Sequence, residues 1–230
     1  MRQTQQPHRK WIALGSFLLL AILAGGADAG EWAAVRRIAD GDTIELADGR
    51  LVRYLGIDAP EIHHEAGTAQ PFGFEARARN REWVGPRKVR LEVDTERFDV
   101  YGRTLAYVFL ADGTLVNEAL LQEGLAVCLA KVPNVRYEDR LLRAQRRAME
   151  SRRGIWRDWR EAPGRYIGNR NSRRFHRRDC PEAGRILPKN RVAFATRWEA
   201  HWAGYSPSRE CQPDFSIPSE PTPWPWPPPR

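Results

Sequence analysis

The sequence predicts a small β-barrel of the OB type with helices packed on it, followed by a minor C-terminal module. Three observations lead there. Short runs between residues 32 and 93 alternate apolar and polar side chains, the two-residue period of a half-buried strand. Asp-Gly pairs punctuate them as hairpin turns. Helical stretches interrupt the strands without the regular alternation of a parallel α/β sheet.

Taken in order, "VRRIADGDTIEL" (35–46), "RLVRYLGI" (50–57) and "RKVRLEV" (87–93) read as strands. "ADGR" at 47–50 reads as a tight turn in which Asp-Gly supplies positive φ angles. "HHEAGTAQPFG" is a loop, and "FEARARNREWV" is a helix stopped by Gly85 and Pro86. "RTLAYVFLADGTLV" reads as a hairpin turning at Asp112-Gly113. "NEALLQEG" reads as a short helix with Asn117 as its cap and Gly124 at its end. "YEDRLLRAQRRAMESRRG" is a longer helix that keeps Leu141, Leu142, Ala144 and Ala148 for the core and turns its arginines outward. Beyond Trp159 the chain is rich in Arg, Asn and Pro with little periodicity, and 214–230 is a Pro-rich, extended tail.

The chain of 230 residues carries 37 basic and 29 acidic side chains, a net charge of +8. That balance favours polyanionic partners such as nucleic acid, an anionic membrane surface or an acidic polysaccharide. Residues 1–29 read as a secretory signal: a basic start, an apolar run from Trp11 to Ala24, and Ala27 and Ala29 at the small positions of a cleavage site after Ala29. An uncleaved anchor is the alternative. The segment holds three basic residues and one acidic one, so the mature chain keeps 34 against 28. A secreted or periplasmic location is expected, in an oxidising compartment where the three cysteines, Cys128, Cys180 and Cys211, allow one disulfide.

Four carboxylates, Asp40, Asp42, Asp58 and Glu61, fall within twenty-two residues, with Arg53 in a strand-like run between them. They stay ionised together only with positive charge among them, and a hard divalent cation with oxygen ligands supplies it. A solvated acidic turn is the plain alternative. "DVYGRTLAY" adds Arg103 after a Tyr-Gly turn, a planar, always-charged fork suited to phosphate. Two arginines, a metal site and a spare carboxylate are what phosphodiester hydrolysis requires.

With these residues in place, "DGDTIEL…VRYLGIDAPE…DVYGRTLAYVF…VNEALLQEGLA" resembles the staphylococcal nuclease family from about Val35 to Trp156. The resemblance implies a five-stranded OB-fold barrel with about three α-helices over 32–160. It also implies hydrolysis of DNA and RNA with Ca²⁺, leaving 5′-hydroxyl and 3′-phosphate ends. By the same resemblance Asp42, Asp58 and the carbonyl of Ala59 bind calcium, with Asp40 an acid standing behind them. Arg53 and Arg103 contact the phosphate, Glu61 is the proposed general base, and Tyr101 is either a phosphate neighbour or a packing residue of the turn. No protein partner is implied, and a monomer is expected. The family's paired tyrosines before a Lys-Pro-Asn segment are missing from "LAVCLAKVPN", where Cys128 reads as a small apolar filler. A non-catalytic OB-fold nucleic-acid binder is the alternative function, and retention of all the acids and arginines argues against it. An adhesion protein using its basic face leaves their order unexplained.

Residues 165–213 resemble a small module like the zinc-binding domain of the Ada DNA-repair protein. His176 and Cys180 stand at its first ligand pair, but "SREC" offers Ser208 and only Cys211 at its second. Serine is a poor zinc ligand. A Cys180–Cys211 disulfide is the favoured use, with Zn²⁺ as the alternative and an accessory nucleic-acid contact as the module's role. From Lys131 to Arg178 there are sixteen basic and five acidic residues, either a solvated face or a contact with phosphates away from the cut.

Overall fold

The computed structural model describes residues 30–62 and 69–208; the segment 1–29 expected to be a leader, Cys211 and the Pro-rich tail lie outside them. Five strands close a barrel: β1 (Glu31–Asp40), β2 (Thr43–Leu46), β3 (Leu51–Tyr54), β5 (Lys88–Glu92) and β6 (Thr104–Phe109), in the order β1-β2-β3-β6-β5. The β3–β6 pair is parallel and the others are antiparallel. Ile44, Leu46, Val52, Tyr54, Val89, Leu91, Ala106 and Val108 fill the interior at alternate strand positions. Helix α1 (Gly73–Val84) faces the barrel with Gly73, Ala76, Asn80 and Val84, a helical three- and four-residue spacing. Helices α2 (Val116–Gln122) and α3 (Glu138–Glu150) cover the rest, with Leu120, Leu121, Leu141 and Ala144 in the core.

A second pairing, unforeseen from the sequence, joins β4 (Gly56–Asp58) to β7 (Val127–Leu129), with Asp58 opposite Val127 and Ile57 opposite Cys128. Cys128 is a free, buried thiol whose pKa burial pushes up, the filler its apolar surroundings suggest.

Three local readings change. In the 47–50 turn only Gly49 has positive φ (+91°), and Leu46 N–H donates to the Arg50 carbonyl. The turn is therefore a wider one ending on a left-handed glycine, not a two-residue primed turn. After Asp112-Gly113 the return arm makes one bridge, Phe109 to Leu115, and the chain enters α2 at Val116. Asn117 does not cap that helix. It is wholly buried, its Oδ1 accepting from Val108 N–H (2.9 Å) and its Nδ2 donating to the Leu55 carbonyl (2.8 Å). It thus ties helix, barrel and the approach to β4 together. Asn117→Ala strands two buried backbone groups and is expected to cost about 2–4 kcal/mol in urea unfolding; a loss under 1 kcal/mol contradicts that role.

Residues 160–208, aperiodic in the sequence, form regular structure. A four-stranded sheet runs β10-β8-β9-β11, from β8 (Tyr166–Asn169), β9 (Arg174–Arg177), β10 (Arg191–Phe194) and β11 (Ser206–Pro207). Short helices α4 (Pro181–Arg185) and α5 (Arg197–Trp202) flank it, the second capped by the Thr196 hydroxyl accepting from Glu199 N–H. Strands this short escape a periodicity test, since two or three side chains per face cannot establish a period. The sheet does not stand apart from the barrel. Trp156, at the end of a 3-10 turn, meets Trp159, Trp198 and His201 at ring separations of 5.1–5.9 Å. Arg146 of α3 donates to the Trp202 carbonyl (2.9 Å), and Gln145 of α3 donates to the His201 carbonyl. Nor do all the α3 arginines face solvent alone: Arg140 and Arg147 pair with Glu118 of α2, and Arg173 from the sheet pairs with Glu138.

Candidate active site

The site forms where β1 turns into β2 and the chain leaves β3. Gly41 sits at that first turn because nothing larger fits: a Cβ there would lie 2.7 Å from the Ala59 Cβ and 2.8 Å from the Ala76 Cβ. The close approach sets Asp42 against the backbone of Ala59, whose N–H donates to Asp42 Oδ2 at 2.6 Å. After β3, Gly56 takes a left-handed turn (φ +76°) under Leu141, where a Cβ would meet Leu141 Cδ1 at 2.4 Å. The chain curls over the β3 edge and delivers Asp58.

Arg53 lies inside this curl. In β3 it stands opposite Thr43. Its Nη1 donates to the carbonyls of Tyr54 (3.0 Å) and Ile57 (2.9 Å) and lies 2.9 Å from Asp42 Oδ2, while Nη2 donates to Asp58 Oδ1 at 2.8 Å. Its side chain is 11% exposed. Burial works against its charge, but the carboxylates of Asp42, Asp58, Glu61 and Asp40 outweigh it and raise the pKa above the ordinary arginine value. All four acids therefore act on one guanidinium.

The acids are not fully compensated. Asp42 is pushed up, chiefly by burial and then by Asp58 and Glu61 against the pull of Arg53 and the Ala59 N–H. Asp40 is pushed up to about 8, by burial first and then by a hydrogen bond with the Glu61 carboxyl and the charge of Asp42. Glu61 is also held through its backbone, exchanging hydrogen bonds with Gln70.

Arg103 stands one residue before β6. Leu105 lies level with Arg53 across the parallel pair, so strand alternation turns Arg103 and Arg53 to the same face. Asp99 fixes it: Oδ1 accepts the N–H groups of Tyr101 and Arg103, and Oδ2 accepts Arg103 Nε at 2.7 Å. Burial is outweighed there by the Arg103 hydrogen bonds, which hold the Asp99 carboxyl below the usual range. Tyr101 is 81% exposed, and its ring lies 5.5 Å from the Arg103 guanidinium.

The structure therefore gathers Asp40, Asp42, Asp58, Ala59 and Glu61 around Arg53, and sets Arg103 on the same face. One residue of the cluster was missed. Arg174 of β9 places Nη1 3.0 Å from Asp58 Oδ2. Five arginines crowd residues 170–178, and nothing in their order singles this one out. The C-terminal thiol and imidazole take another course: Cys180 is disulfide-bonded, and its Sγ lies 3.8 Å from His176 Nδ1. Among the described residues no cluster of three His, Cys, Asp or Glu has metal-binding geometry.

A closed barrel with acids and arginines converging at one edge of a strand pair is an arrangement suited to holding a phosphodiester, and comparison with known proteins gives its class, a nuclease acting on phosphodiester bonds. The family model described as staphylococcal nuclease homologue matches residues 51–158. The thermonuclease of Staphylococcus hyicus is 41% identical over 125 residues, 53% of this chain and 73% of that protein. The SPbeta prophage-derived endonuclease YokF of Bacillus subtilis (strain 168) is 43% identical over 125 residues, 52% of this chain and 42% of its own. Endonuclease YncB of the same organism is 42% identical over 125 residues, covered to 59% of its length. The chain belongs to the staphylococcal nuclease family. It thus spans most of one relative and about half of the other two, and the family match ends at Asp158, before the C-terminal sheet.

Proposed function

We propose that the protein is an exported, calcium-dependent nuclease that cuts DNA and RNA to 5′-hydroxyl and 3′-phosphate ends. The observation that carries this reading is Arg53, buried among four carboxylates that it only partly compensates. The donors suit a hard cation: the carboxylate oxygens of Asp42 and Asp58 and the carbonyl of Ala59 are all oxygen, and the cluster has negative charge to spare. Calcium, when bound, offsets phosphate charge and holds a phosphate oxygen.

The chain's own residues do the rest. Arg53, restrained by two backbone carbonyls and two carboxylates, presents a fixed fork to the phosphate. Arg103, held by Asp99, approaches from the same face, and the two together stabilise the extra charge of the five-coordinate transition state. Glu61, hydrogen-bonded to Asp40, orients the attacking water and takes its proton. The exposed Tyr101 ring is available to nucleotide beyond the cut. The disulfide at Cys180 supports an oxidising compartment.

The test is cleavage of single- and double-stranded DNA and RNA by residues 30–230 with Ca²⁺, Mg²⁺ or chelator. Cutting that needs Ca²⁺ and leaves 3′-phosphates is expected; metal-independent cutting, or 5′-phosphate products, overturns the mechanism. Glu61→Gln is expected to lower kcat by about 10²-fold or more with calcium affinity unchanged. Equal loss of calcium binding reassigns Glu61 to the metal.

A further inference from the structure

Arg174 enters the nuclease centre from beyond the C-terminal end of the family-matched segment, 116 positions along the chain from its partner Asp58. Its Nη1 makes three contacts: Asp58 Oδ2 at 3.0 Å, Ser206 Oγ at 3.0 Å and the Pro207 carbonyl at 2.8 Å. The last two come from β11, which pairs in parallel with β9 at Ser206 and Arg174. The guanidinium is thus mounted on the C-terminal sheet and aimed at the acid. That sheet is fastened to the barrel by the Trp156 ring cluster, by Arg146 to the Trp202 carbonyl and by Arg173 to Glu138. Asp58 is bracketed, with Arg53 on Oδ1 and Arg174 on Oδ2. Arg174 is 21% exposed and Asp58 14%, so water screens this pair only in part.

We infer that Arg174 sets the calcium affinity of the centre by competing for Asp58. A cation taking Asp58 as ligand meets a fixed positive charge on that carboxylate, and like charges at this distance in a half-buried site weaken binding. Displacement leaves Arg174 with Ser206 and the Pro207 carbonyl still bonded, so the arginine yields without losing all its partners. The role rests on the reading of Asp42 and Asp58 as calcium ligands. It makes Arg174 a positioning residue, one that tunes the site through Asp58.

Calcium titration by calorimetry on the full mature chain tests it, using wild type, Arg174→Gln, Arg174→Lys and Asp42→Asn. Arg174→Gln keeps a donor for Ser206 while removing the charge, and is expected to bind calcium about tenfold more tightly than wild type. Arg174→Lys keeps the charge and should stay within about threefold of wild type. Unchanged or weaker calcium binding in Arg174→Gln overturns the inference. So does a defect confined to oligonucleotide affinity, which makes Arg174 a phosphate contact instead. Failure of the underlying reading looks different: wild type itself then binds no calcium, or Asp42→Asn binds it as well as wild type does. Thermal unfolding in chelator checks that each variant is folded.

Discussion

Arg53→Lys lowers kcat by about 10³-fold while the protein stays folded, and Arg53→Ala lowers both kcat and stability, the latter by about 3–5 kcal/mol in the absence of metal. The two variants separate charge from geometry. Arg53 reaches four acceptors with two nitrogens, the carbonyls of Tyr54 and Ile57 and the carboxylates of Asp42 and Asp58. Lysine restores one positive charge but has neither the plane nor the fork, so it can sit among the acids without presenting two parallel donors to a phosphate. Alanine removes the charge that Asp42 and Asp58 share and leaves the buried Asp42 without its arginine while Asp58 keeps Arg174, the situation in which breaking one side of an ion-pair network is costly. Calcium supplies the missing charge, so its stabilisation of Arg53→Ala, read as the rise in Tm between chelator and calcium, exceeds that of wild type. Steady-state kinetics on a defined oligonucleotide and urea unfolding in chelator measure the two effects. Near-wild-type turnover in Arg53→Lys reduces the arginine to a structural counter-ion.

What the sequence disclosed of this centre depended on where each residue lies. Asp40, Asp42, Arg53, Asp58 and Glu61 are neighbours in sequence, and a hairpin followed by a glycine bend folds them back onto themselves. Local spacing was therefore enough to group them. Arg103 was legible because a Tyr-Gly turn precedes a strand, and the parallel β3–β6 pair then brings it to the same face. Arg174 was not legible, since its place depends on a parallel pairing of β9 with a two-residue strand more than thirty positions later and on the docking of that sheet against the barrel. Asn117 misled for a related reason. At the first turn of a helix it has the chemistry of a cap, but long-range burial turned its amide to Val108 and Leu55 instead.

The docking surface of that second sheet carries the other large effect, and it is set by acid. Lowering the pH from 6.5 towards 3 is expected to cost the protein about 1.4 kcal/mol per pH unit through His201 alone. His201 is 1% exposed, surrounded by the rings of Trp156, Trp159 and Phe175, and its Nδ1 has no hydrogen-bond partner among the described residues. Burial first, then the charge of Arg197 in the same helix, depress its pKa to about 3, against a weaker opposing pull from the Tyr205 backbone. Arg197 in turn pairs with Glu161, and the element of α3 packed on the helix presents the uncharged Gln145. The sign follows directly. Between pH 3 and 6.5 the unfolded chain carries a proton on this imidazole that the folded chain refuses, so stability is complete above 6.5 and drains away as the pH falls. His201→Leu keeps the apolar packing and cannot titrate, so its stability falls less steeply over that window. The two urea-unfolding curves should diverge by several kcal/mol towards pH 4, with wild type the steeper. Parallel curves mean that the imidazole is reached by water or charged in the folded state, and the seam between sheet and barrel is then looser than its ring contacts imply.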